Sequence, residues 1–120
     1  MDTNNPVIKL CIAGSQAEFE KRAADACRLY RQAWEAVSND YEACIAAHYM
    51  ARCPELPEDV LRWNQEALDR ANVVADERVQ EFYPSLYLNM GASYEKLGNL
   101  VEAQRYYRLA AELGYFHSTG

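Results

Sequence analysis

Apolar side chains recur every three or four residues along most of this chain, the spacing that gathers them on one helix face. From Ala23 they fall at Ala26, Cys27, Tyr30, Ala33, Trp34 and Val37, which predicts one amphipathic helix. The stretch YEACIAAHYMARC continues as a second, more uniformly apolar one. Pro57 followed by Glu58 and Asp59 marks the start of another. The proline ring needs no N–H at a first helical position, and carboxylates favour the positive end of the helix dipole. After Asp76 a broad apolar face carries Val79, Phe82, Tyr83, Leu86, Tyr87, Met90 and Tyr94 until Gly98 stops it. Pro84 lies inside that pattern and removes a ladder bond, so this long helix is expected to be kinked or broken near Pro84. The last helix starts near Leu100 and fades at Gly114, leaving 115–120 as a tail.

About six helices joined by short connectors raise the question of internal repeats. Sliding the chain on itself by 77 positions sets Gly91 on Gly14, Ala103 on Ala26, Tyr107 on Tyr30 and Ala110 on Ala33. Arg105 and Arg108 also meet Arg28 and Arg31. An offset of 34 from the first copy brings Val60 to Ala26, Ala67 to Ala33 and His48 to Gly14. The middle copy is degenerate but in register. Repeats are therefore expected near 7–40, 41–83 and 84–114, after a short tail over 1–6, within a single domain.

These residues resemble the tetratricopeptide repeat (TPR) family, whose pattern runs aromatic, leucine, glycine and tyrosine on a first helix and alanine, aromatic and alanine on a second. The third copy carries Tyr87, Met90, Gly91, Tyr94, Gly98, Ala103, Tyr107 and Ala110 at the matching spacings. The first keeps Gly14, Ala26, Tyr30 and Ala33 but has Leu10 and Ala17 at aromatic positions, and the second keeps mainly Ala67 and Leu68. The resemblance implies an all-α, right-handed solenoid of helical hairpins. Small residues such as Gly91 and Ala103 suit close helix approach, and three stacked hairpins form the minimum continuous core.

The same resemblance implies a groove, lined by the first helix of each repeat, that binds a peptide segment of a partner protein. Asn89 occupies the position of the family's backbone-binding asparagine, where the other copies have Ile12 and Ala46. The family's carboxylate clamp sets lysine, arginine and asparagine at the positions held here by Cys11, Ser15, Ala46, Ser85 and Asn89, where only Asn89 matches and no cation stands, so chaperone-tail binding is not expected. By register Tyr49 and Arg52 also face the groove, where they would suit an acidic or aromatic peptide. The competing readings are core packing for Tyr49 and a surface ion pair for Arg52. Trp63 reads as packing between helices.

Composition narrows the remaining classes. One hundred and twenty residues form one domain with a core of its own. A net charge of −6, with no cationic cluster longer than Lys21-Arg22, argues against a nucleic-acid backbone as partner. No apolar run is long enough to span a membrane. The stretch MDTNNPVIKL has no basic leader character, so Cys11, Cys27, Cys44 and Cys53 are expected as reduced, buried thiols in a cytoplasmic protein. Cys44 and His48 share a helix face, but a closed zinc site needs four ligands. His48, at a tight glycine position, is expected to be buried and hydrogen-bonded.

No P-loop, GxSxG, HExxH or dinucleotide fingerprint is present, and His117 in the tail has no obvious partner. No catalytic residue, metal or cofactor is therefore expected. The last helix carries Tyr106, Leu109 and Leu113 on a flank with no capping helix after it, so either GYF folds back over that flank or a second subunit covers it in a homodimer. The sequence thus favours a non-enzymatic peptide-binding module. A self-associating structural protein is the alternative, and a small metal-binding or enzymatic protein a third.

Overall fold

Seven helices make up most of the structure, a computed structural model that describes residues 2–115. They are α1 (Pro6–Phe19), α2 (Ala23–Glu35), α3 (Asp40–Met50), α4 (Pro57–Val74), α5 (Glu77–Gln80), α6 (Tyr83–Lys96) and α7 (Leu100–Glu112). Most start where the sequence supplies a cap. The Asn5 side chain accepts from the N–H groups of Val7 and Ile8, and the Asn39 and Asn99 side chains accept from Glu42 and Glu102. Pro57 sits in the first turn of α4 with Glu58 and Asp59, as the spacing predicts. Gly98, at φ 80°, takes the left-handed backbone that closes α6.

Of the kink or break expected near Pro84, the structure takes the break, and the long helix becomes two. A continuous helix would need an N–H from Pro84 to reach the carbonyl of Gln80, and proline has none to give. The first piece ends at Gln80, and α6 begins at Tyr83 with Pro84 in its first turn, where a missing N–H costs nothing. This break makes the count seven among the described residues rather than six.

Consecutive helices pack as hairpins: α1 on α2, α3 on α4 and α6 on α7. The hairpins meet where α2 and α1 pack on α3 and where α4 packs on α6. Their shared core centres on Cys44, Leu68, Val79, Leu86 and Met90, with small alanines at Ala47, Ala67 and Ala71 where the helices approach closely. Trp63 meets Trp34 edge to face at 5.0 Å, the packing role the sequence suggests.

The reduced state expected of all four cysteines does not hold. Cys27 on α2 and Cys53 just after α3 form a disulfide, with Cα atoms 5.8 Å apart, within the span such a bond requires. The packing of α2 against α3 brings them together, which spacing along the chain could not reveal. Cys11 and Cys44 are free and buried. Burial pushes their thiols up to about 12 and about 11, so both are inert neutral groups at physiological pH. Among the described residues no helix is long and apolar enough to cross a membrane.

Candidate functional site

The first and third hairpins are closed by the same device. A Cβ on Gly91 would lie 2.5 Å from Cε1 of Tyr107, and one on Gly14 would overlap the Tyr30 ring in the same way. The absent side chain is what lets each ring lie on the facing helix. Each tyrosine hydroxyl then donates to a glutamate four residues after its glycine. Tyr30 reaches Glu18 at 2.5 Å and Tyr107 reaches Glu95 at 2.7 Å. Both phenols are pushed up to about 12, by burial first and by the adjacent carboxylate second. They therefore stay neutral donors.

The middle hairpin has none of these three residues. In the 34-residue register His48 replaces the glycine, Arg52 the glutamate and Asn64 the tyrosine. Each of the three turns to a neighbouring hairpin. Arg52 forms a two-pronged ion pair with Glu18, Nε to Oε1 at 2.7 Å and Nη2 to Oε2 at 2.8 Å. Asn64, buried, donates to Ser93 Oγ at 2.8 Å and lies 3.4 Å from the Asn89 carbonyl oxygen. The Asn89 side-chain amide stands 3.4 Å from His48 Nδ1. Burial, and then the nearby Arg52 charge, holds His48 below its ordinary value. The ring is neutral near pH 7 and can accept from Asn89.

His48 lies where three recesses meet. One, about 350 Å3, is bounded by Glu18, Arg52, Asn64, Asn89, Ser93 and Lys96. A second carries Ser15, Phe19 and Tyr49 toward the free end of α1. The third, about 170 Å3, opens between α3 and the start of α6. Phe19 is 83 % exposed at the rim. Sharing His48, they form one trough along α1, α3 and α6, with Val60 and Asn64 of α4 and Glu81 and Phe82 of the link before α6 also in its walls.

The sequence-predicted contacts Asn89, Tyr49 and Arg52 all come to this trough, but two are engaged. Tyr49 stacks on Tyr30 at 5.2 Å and also packs on Met50 and its neighbours. Arg52 spends its guanidinium fork on Glu18, so the expected pairing with an acidic peptide has no free partner there. Asn89 keeps its side-chain oxygen, which takes no hydrogen bond among the described residues. Asn64, Ser93, Lys96 and Glu18 line the trough without having been singled out. The 34-residue register that places His48 on Gly14 also places Arg52 on Glu18 and Asn64 on Tyr30, and that signal could have found Glu18 and Asn64, while Ser93 and Lys96 carry no such signal.

The expected dimer flank is smaller than the sequence implies. Tyr106 is buried, stacked on Tyr94 at 5.8 Å and near Tyr87 at 6.2 Å. Leu109 is half-buried against the core, and only Leu113, 50 % exposed, remains open. Tyr94 and Tyr87 thus take up the Tyr106 part of that flank, while Leu109 and Leu113 line a surface recess beside Tyr83 and Tyr87. Among the described residues no group of three or more metal-ligating side chains comes together. His117 lies outside the described residues. Comparison with known protein families, with curated proteins and with solved structures finds no match.

Proposed function

We propose that the chain is a TPR-like solenoid of three hairpins acting as a non-enzymatic module that holds a peptide segment of a partner in the trough along α1, α3 and α6. The observation that carries this reading is the middle hairpin. Its side chains leave their own hairpin and build a polar floor, His48–Asn89 and Asn64–Ser93, beneath an open channel. Asn89 combines an N–H donor with an uncommitted acceptor, the pair an extended peptide backbone needs. Two such bonds position a main chain, and the recesses on either side receive its side chains. Tyr49 and Arg52 act as the stacked and ion-paired wall of the channel.

In the cytoplasmic location expected from the sequence, the Cys27–Cys53 bond would face a reducing thiol pool. It fits an oxidising compartment better. Self-association through Leu109 and Leu113 is the second reading, favoured only by the exposure of Leu113.

Selection from a random peptide library, with the helical content of every variant checked by circular dichroism, tests the module. Peptides retained by the native chain and lost on Asn89→Ala support it. Peptides retained equally by Asn89→Ala and His48→Ala, or no retained peptide at all, overturn it. Light scattering over a range of concentrations tests the dimer.

A further inference from the structure

The 170 Å3 recess between α3 and α6 has an uneven lining. Its floor is apolar: Ile45 and Leu86 are buried, and Phe82 is half-buried. His48 and Tyr49 contribute ring surface, and at the exposed rim stand Ser85 and the carboxylate of Glu81. A cavity of about 150 Å3 takes a benzene ring, so this one holds a single side chain and little more.

Its origin lies in the break at Pro84. While α1 packs directly on α3, α6 leans on α4 instead. The short α5 and the Glu81–Phe82 link then stand between α3 and α6. Glu81 is part of that link and makes no ion pair among the described residues. The neighbouring Arg78 cation is taken up by Asp76 at 2.9 Å and lies over the Tyr41 ring at 5.0 Å.

Resting on the peptide-binding reading, we infer that this recess is the anchor socket for one basic side chain of the bound peptide, an arginine or a lysine. Such a side chain lays its methylene stem along Ile45, Phe82 and Leu86 and brings its cationic head to Glu81 at the rim. The aromatic rings beside the head add attraction for a cation. A purely apolar anchor would leave the Glu81 carboxylate beside hydrocarbon, and an acidic one would meet like charge. With Arg52 already neutralised by Glu18 and the whole chain at −6, charge complementarity also selects a basic partner over an acidic one.

The test starts from the peptides that the native chain selects and that Asn89→Ala releases. Expected are one enriched arginine or lysine position and a roughly five- to tenfold affinity loss when it becomes alanine. Glu81→Gln, which keeps the shape, should give a loss of the same order. Ser85→Trp, which fills the recess from its exposed rim, should do so as well, and Glu81→Lys should turn the preference toward an acidic residue. Selected peptides without a basic position, or indifferent to Glu81→Gln and Ser85→Trp, overturn the socket while leaving the trough intact. As a probe that needs no library, N-acetyl-arginine methylamide titrated into 15N-labelled protein should shift the amide signals of Cys44, His48, Glu81 and Leu86. A larger response to the leucine or glutamate analogue overturns the assignment. No selected peptide and no response to any analogue would remove both the socket and the trough.

Discussion

In the first and third hairpins a tyrosine ring lies over a glycine and its hydroxyl meets a glutamate twelve residues earlier. In the middle hairpin the same positions hold His48, Arg52 and Asn64, and none of them closes its own hairpin. In the outer pair each tyrosine hydroxyl is spent inside its own hairpin. The middle one spends its polar groups outward, on Glu18 of the first hairpin and on Ser93 and Asn89 of the third. The hairpin that departs from the other two is therefore the one that couples its neighbours and floors the trough. A hairpin that departs from its neighbours is worth reading as an exchange of self-contact for contact between hairpins.

The largest break in this comparison comes from removing a ring. Tyr30 is fully buried, and Tyr30→Ala should cost about 3–5 kcal/mol, the range for large aromatic truncations. Asn64→Ala, at the corresponding position, should cost only about 1–3 kcal/mol, the penalty for leaving a buried hydroxyl without its partner. Urea denaturation of both variants measures the difference. Equal losses would mean that the middle position carries as much packing as the outer one, and the contrast would fall.

The glycines come next. Gly91→Ala forces the Tyr107 ring away and strains its bond to Glu95, which should cost about 1–3 kcal/mol despite alanine's better helix propensity. Gly14→Ala should behave alike. His48→Ala has no ring to collide with and loses only the Asn89 contact and the edge packing of its ring on Tyr49 at 5.2 Å, so its loss should be smaller. Thermal unfolding of the three variants side by side gives the ranking.

A swap sharpens the comparison further. Asn64→Tyr alone places a phenol where His48 already stands and should destabilise the chain. Combined with His48→Gly it would recreate the outer lock, so the double variant should be more stable than the sum of the single changes, by a coupling of about 0.5–3 kcal/mol. Additive losses would show that the three hairpins do not share one geometry at this position.

Much of this architecture is legible in the chain because its signals are local. Pro57 with its two acids, Asn99 and Gly98 mark helix ends, and the 77-residue offset pairs Gly14 with Gly91 and Tyr30 with Tyr107. The Pro84 signal was legible as well, but its outcome was not. Whether a proline kinks a helix or divides it depends on what packs on either side. The Cys27–Cys53 bond, the burial of Tyr106 by Tyr94 and Tyr87, and the capture of Arg52 by Glu18 are all contacts between helices. Periodicity along one helix carries no information about them. For the trough, Asn89, Tyr49 and Arg52 do come to the same set of recesses, but register could not say which of them were already engaged.

The smallest expected effect concerns the link between the first two hairpins. Hydrogen bonding from Arg52 is the main cause holding the Glu18 carboxyl below its ordinary value, with burial opposing it and the Tyr30 hydroxyl assisting. A carboxyl lowered in the folded state contributes stability that is present above its unfolded pKa and lost as pH falls through the folded one. Because Arg52 is 54 % exposed and Glu18 28 %, solvent screens the pair, and Arg52→Met should cost only about 0.2–1 kcal/mol near neutral pH. That difference should fade on acidification below the ordinary carboxylate range, where Glu18 takes up its proton in both proteins. It should also shrink in high salt. Urea midpoints compared across this pH range decide it. A gap that persists undiminished in acid would mean that the arginine stem packs the first hairpin onto the second and that its charge contributes little.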